Sequence, residues 1–115
     1  MASLSVSEDP GTQVLTVVVV PCWSDNYAYL VCPRGQRQAV VIDPTDADAV
    51  LHALEHTGLE LAAILNTHHH NDHVGGNAAL LRRCGPLPVY GHEADRGRIP
   101  GQNVFLSHLA TFEVA

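Results

Sequence analysis

The seven residues Thr67-His68-His69-His70-Asn71-Asp72-His73 gather four imidazoles and one carboxylate into a single short segment. Imidazole nitrogen and carboxylate oxygen are the donors that suit divalent zinc, iron and manganese. Residues two apart on an extended chain project to the same side, so His68 and His70 can share one ion while His69 points away from it. Asp72 and His73 follow as the backbone turns toward Gly75-Gly76, where adjacent ligands can serve a second ion. Two ions side by side can share a bridging water, lower its pKa to about 7 and stabilise negative charge on an attacked carbonyl. Such a site needs no serine or cysteine nucleophile. The plain alternative is a solvated loop or a purification tag, but a tag is terminal and uninterrupted, whereas this cluster follows an apolar run.

Other candidate donors carry less. His52 and His56 lie four apart on an expected helix and can pair on a metal, yet no third ligand is near them in sequence, so they are expected to face solvent. Cys22, Cys32 and Cys84 are odd in number and lack C-x-x-C spacing. They are expected to be small buried hydrophobes in a reducing cytoplasm.

The elements that must position the loop follow from pattern. Gln13 to Pro21 is rich in Val, and Asn26 to Cys32 mixes aromatic, β-branched and apolar residues; both are expected strands, joined by a turn through Ser24, Asp25 and Asn26. A second turn at Pro33-Arg34-Gly35-Gln36 leads to a strand from Gln38 to Asp43, giving an antiparallel meander. Thr45 is expected to cap a helix from Asp46 to about Thr57, with Ala47, Val50, Leu51 and Leu54 on one face and Gly58 as its stop. Leu61 to Asn66 is a short continuous apolar run, as expected of a strand covered on both faces, and the histidines begin at its carboxyl end.

Beyond the loop, Asn77 to Cys84 is an expected second helix with Ala78, Leu81 and Ala79 inward. Pro88 to Gly91 and Thr111 to Ala115 are expected strands, with an exposed polar turn from Glu93 to Gly97. Strand, helix, strand, helix, strand after residue 38 implies mostly parallel pairing with helices on one face. Ligands in such sheets sit outside the carboxyl ends of the strands, which is where the histidines fall.

Composition limits the function classes. In 115 residues, 46% are apolar and 16% charged, which describes a globular chain with a core to bury. One domain over residues 13–115, behind a flexible start over 1–12, is the expected organisation. The net charge is -6 and all six basic residues are Arg, with no basic stripe for a nucleic acid. No apolar run approaches the roughly 20 residues of a membrane span, and no secretory leader is recognisable.

The pattern His68-x-His70-x-Asp72-His73 resembles the H-x-H-x-D-H signature of the metallo-β-lactamase superfamily. The strings THHHNDHVGGN at 67–77, DNYAYLV at 25–31 and VVIDP at 40–44 are more particular, and are similar to the glyoxalase II (hydroxyacylglutathione hydrolase) family. The resemblance runs from Val17 to Ala115 and covers only the amino-terminal half of that family's catalytic domain. It implies an α/β fold, the first half of an αββα sandwich with a mixed sheet and helices on one face. It also implies a cytoplasmic thioester hydrolase, monomeric when complete, that takes S-lactoylglutathione and water to glutathione and lactate. Two Zn2+ ions per complete site are implied, with iron or manganese as alternatives. By motif position, His68 and His70 are implied ligands of the first ion, and Asp72 and His73 of the second, with Asp72 also the catalytic carboxylate. Asp43 falls where the family places an Asp near the metal loop, as either a partner that orients a ligand or a plain strand-end cap.

The family's remaining ligands come from a later Gly-His-Thr-type loop and from segments beyond it. His92 and His108 are the only histidines after the cluster, and neither stands in that setting. The 115-residue chain is therefore expected to bind metal weakly and not to turn over substrate. The alternatives are a mono-iron enzyme of the same fold, like a persulfide dioxygenase, or a non-catalytic metal-binding fragment; Asn71 and Val74-Gly75-Gly76-Asn77 fit the hydrolase pattern better.

Overall fold

The computed structural model describes residues 2–3, 15–23, 25–107 and 113–114. In chain order the elements are β1 (Ala2–Ser3), β2 (Leu15–Cys22), β3 (Asn26–Pro33), β4 (Gln38–Ile42), α1 (Ala47–Thr57) and β5 (Glu60–Leu65). They continue with α2 (Asn71–Val74), α3 (Asn77–Cys84), β6 (Val89–His92), a 3-10 turn (Glu93–Asp95), β7 (Val104–Leu106) and β8 (Glu113–Val114). β1 and β8 pair antiparallel as a separate short ladder. The rest of the expected flexible start at 1–12 and of the expected strand at Thr111–Ala115 lies outside the described residues, as do Ser24 and His108.

Six strands form the main sheet in the order β2-β3-β4-β5-β6-β7. The β-branched run of β2 pairs with β3 in antiparallel register from Leu15↔Pro33 to Cys22↔Asn26, and β3 pairs antiparallel with β4. Pro21 lies on β2, an edge strand, the place in a sheet where proline is tolerated. From β4 onward every pairing is parallel. The mixed sheet agrees with the expected meander followed by strand and helix alternation. All four parallel strands end on the side where the histidine loop begins.

Alternation along the strands feeds one main core. Val20, Cys22, Ala28, Leu30, Cys32, Ala39, Val41, Ile64 and Val89 point to the face covered by α1 and α3, where Val50, Leu54 and Leu80 meet them. Between β4 and β5 the register steps from Ala39↔Leu61 to Val40↔Ala63. Ala62 is thus the extra residue of a bulge, which resets the alternation. Val40, Ala63 and Tyr90 consequently form a smaller cluster of their own. On β2 and β3 the face away from the main core is open, with Val17, Val19, Tyr27 and Tyr29 exposed.

Three local expectations are corrected. The cap of α1 is Asp46 rather than Thr45: its carboxylate accepts from the amides of Asp48 (3.0 Å) and Ala49 (3.4 Å). Thr45 is instead buried, its hydroxyl donating to the carbonyl of Asp43 at 3.4 Å. In α3 Leu80 is the fully buried residue; Ala79 and Leu81 are half-buried and pack against the main core as expected, and only Ala78 is exposed. Asn77 sets this phase, because its buried side chain faces inward and Leu80 lies one turn further along the same face. Of the cysteines, Cys22 and Cys32 are buried but Cys84 is only half-buried. Among the described residues no helix is long and apolar enough to cross a membrane.

Candidate metal centre

β5 delivers the chain to Asn66, and the histidine segment leaves the sheet there. The backbone is pinned from both sides: the Asn66 N–H donates to the carbonyl of Tyr90 at 2.9 Å, and the Asp43 N–H to that of Leu65 at 2.9 Å. Asn66 is buried, and its side-chain amide donates to the carbonyl of His73 at 3.0 Å. It also exchanges hydrogen bonds with Asn77, whose amide donates to Asn66 Oδ1 at 2.7 Å and to the carbonyl of Pro100 at 3.1 Å. The first and last residues around the loop are thereby tied together across a buried contact. Gly76 closes the same seam. Its N–H donates to the Pro44 carbonyl at 2.7 Å, and a Cβ at this position would stand only 2.4 Å from that oxygen. Glycine is required here by close approach of two backbones.

Asp43 is the centre of the arrangement. It sits at the end of β4 with φ of 53°, a left-handed conformation that Asp adopts more readily than most residues. Its carboxylate is 8% exposed as a residue and fully engaged. Oδ1 accepts the Thr67 N–H at 2.7 Å, and Oδ2 accepts both the Thr67 hydroxyl and His73 Nδ1, the latter at 2.9 Å. A carboxylate only accepts, so His73 Nδ1 is the donor, and in the neutral ring Nε2 is the nitrogen with the lone pair.

The same logic reaches His68. The Thr67 hydroxyl has one hydrogen, which it gives to Asp43. Toward His68 Nδ1, 3.1 Å away, the hydroxyl therefore accepts, and His68 also keeps its lone pair on Nε2. One buried carboxylate sets the tautomer of two histidines thirty and twenty-five residues downstream in sequence.

The rings themselves are gathered. His68 and His70 lie 6.2 Å apart with planes within 9°, His68 and His73 are 4.7 Å apart, and His69, expected to point away, keeps its ring 4.6 Å from that of His70. His69 donates elsewhere, its Nδ1 3.0 Å from Asp95 Oδ1 on the 3-10 turn after β6. The side chain of Asp72 lies outside the described residues. Its backbone and that of Asn71 form α2, a single turn that brings His73 back toward Asp43. His92 accepts the Ala94 N–H on Nδ1 at 3.0 Å and caps the 3-10 turn. Burial pushes the Cys32 thiol above its ordinary range, and Cys32 donates to the Gln36 carbonyl at 3.2 Å, a structural thiol and not a nucleophile.

Among the described residues no three ligating side chains converge tightly enough to hold an ion as they stand. The donor set nevertheless fits a divalent metal: three imidazoles share one surface, and two of them are backed by hydrogen bonds that direct Nε2 lone pairs to ligation. Sequence reasoning named His68, His70, Asp72 and His73 as candidates and Asp43 as their neighbour, but gave no role to Thr67, Asn66, Asn77 or the His69–Asp95 contact. The one signal was Asn66 and Asn77, polar residues at positions where the pattern calls for apolar ones.

Residues 23–107 match the model of the metallo-β-lactamase superfamily. This chain belongs to that superfamily. Within it, the chain is similar to the hydroxyacylglutathione hydrolase of Acaryochloris marina, at 54% identity over 87 residues, covering 76% of this chain and 34% of that protein. Among solved structures, ETHE1 from Myxococcus xanthus superposes with a TM-score of 0.68 at 28% identity, over 89% of this chain and 44% of that one. TTHA1623, solved in a di-iron-bound form, superposes with a TM-score of 0.57 at 34% identity, over 80% of this chain and 52% of that one. The chain spans about a third of the length of the curated relatives it matches.

Proposed function

We propose that this chain is the metal-loop part of a hydroxyacylglutathione hydrolase site, one that cleaves S-lactoylglutathione with water to glutathione and lactate. The observation that carries the metal assignment is the Asp43 carboxylate, which sets the Nε2 lone pairs of His68 and His73 through Thr67 and directly. The substrate class rests on the similarity to hydroxyacylglutathione hydrolases. His68 and His70 are proposed to hold one divalent ion, zinc by preference, and Asp72 and His73 a second. Bound there, the ions supply Lewis acidity and an acidified water for attack on the thioester carbonyl.

The chain's own residues do the positioning. Asp43 orients His73 directly and His68 through Thr67, so these two rings would offer an ion Nε2 with little reorganisation. Asn66 holds the carbonyl of His73 and fixes where α2 ends. Asp95 occupies Nδ1 of His69, which leaves that ring, 4.6 Å from His70, only Nε2 to offer an ion. Asp72 is proposed as both ligand and catalytic carboxylate, and the site is proposed to work in the cytoplasm.

A chimera tests the reading, with residues 17–107 replacing the matching segment of the Acaryochloris marina relative. Zinc-loaded chimera is expected to release thiol from S-lactoylglutathione, and His70→Ala to abolish that release. A folded, zinc-loaded chimera that releases no thiol, or an iron-loaded one that takes up oxygen with glutathione persulfide, would overturn the assignment. The coverage of about a third of the relatives favours one further statement: the 115-residue chain alone is proposed to bind metal without turnover.

A further inference from the structure

Away from the loop, α1 presents a second pair of imidazoles. His52 and His56 are one helical turn apart and therefore project from the same face. Their ring centroids stand 6.2 Å apart with planes within 15° of parallel. Glu55 lies beside them, and these three exposed side chains line an open depression of about 380 Å³. The opposite stripe of the helix, Ala47, Val50 and Leu54, is buried in the main core, so the backbone that carries the pair is fixed. Among the described residues, no hydrogen bond or ion pair engages either imidazole, so packing leaves both rings available.

We propose that α1 carries a divalent-metal site separate from the loop, in which His52 and His56 chelate one ion through a ring nitrogen each. Imidazole pairs select late first-row divalent ions, copper above nickel and zinc. Two histidines at this helical spacing are a known geometric solution for one such ion, because both side chains reach the same point above the turn. The Glu55 carboxylate adds negative charge beside the ion, and water fills the remaining positions. The rings stand slightly too far apart to share an ion as they lie, but exposed side chains rotate freely on a picosecond to nanosecond scale. Only two rotamers must be fixed on binding, a small entropic cost. The backbone spacing, which the site cannot adjust, is already correct.

Nickel(II) is a suitable probe because it does not oxidise the half-buried Cys84. Equilibrium dialysis against NiCl2, with bound metal counted by elemental analysis, compares the full chain with a His52→Ala/His56→Ala variant. Both positions are exposed on a helix, where alanine is the best helix former, so the variant keeps its fold, and circular dichroism verifies it. The full chain is expected to bind one equivalent more than the variant. A His56→Ala/Thr57→His variant keeps two imidazoles at the wrong spacing and is expected to lose that equivalent too, with affinity down roughly a hundredfold. Equal nickel stoichiometry in the full chain and the double-alanine variant would overturn the proposal, and so would undiminished affinity in the respaced one.

Discussion

The loop at 67–73 and the exposed face of α1 both offer imidazoles, and their surroundings differ. Around the loop, a buried carboxylate, a threonine hydroxyl and a pair of buried amides fix protons and backbone before any ion arrives. On α1 only the helical spacing is fixed, and both rings stand in solvent. The loop thus spends folding stability on preorganisation, while the helix leaves rotamers to be ordered on binding. Ligand spacing alone makes a metal-binding surface. The partners behind the ligands make a site that holds one nitrogen of each ring ready.

The comparison breaks most severely at Gly76. A Cβ there meets the Pro44 carbonyl and the Ala47 backbone, neither of which is a flexible side-chain end. Gly76→Ala is expected to cost roughly 3 kcal/mol of stability, read from the denaturant midpoint, because overpacking against backbone cannot relax cheaply. An unchanged midpoint would mean that the seam between α3 and α1 has room that the structure does not show.

A smaller effect sharpens the comparison at Asp43. Asp43→Asn keeps the shape but turns one acceptor into a donor facing the Thr67 hydroxyl and His73 Nδ1. Zinc affinity at the loop is expected to fall about 10- to 100-fold, the usual result of removing a carboxylate behind a ligating histidine. Nickel held by α1 is expected to stay as it was. Equal loss at both places would show that Asp43 acts through global stability and not through the histidines.

Much of this molecule is legible in its residues. The β-branched run of β2, the apolar stretch of β5 and the Gly and Pro stops gave the sheet, and the donor types and spacing gave His68, His70, Asp72 and His73 as candidates. Asp43 was readable only as two alternatives, because a strand-end Asp looks the same whether it caps or orients. The contact that favours the first, Asp43 with His73, spans thirty residues, which no local pattern carries. The cap of α1 was misread because Thr45-Asp46 offers two acceptors in a row, and the backbone conformation selects the second. α2 and β7 were missed for a different reason: four and three residues are too short to show a period. On α3 Ala79 and Leu81 were placed inward correctly, but Leu80 was missed and Ala78 misplaced, because the phase is set by the buried Asn77, a residue type that hydrophobic patterning places outside.

The central claim is that the 67–73 loop holds divalent metal through His68, His70 and His73. It is tested most directly by the zinc held at equilibrium in dialysis against ZnCl2 by the chain carrying His52→Ala/His56→Ala, with and without His68→Ala/His70→Ala. That background removes the helix pair, so any zinc retained belongs to the loop. Zinc is expected to be retained with the loop histidines intact and lost without them; equal zinc in the two proteins would contradict the account.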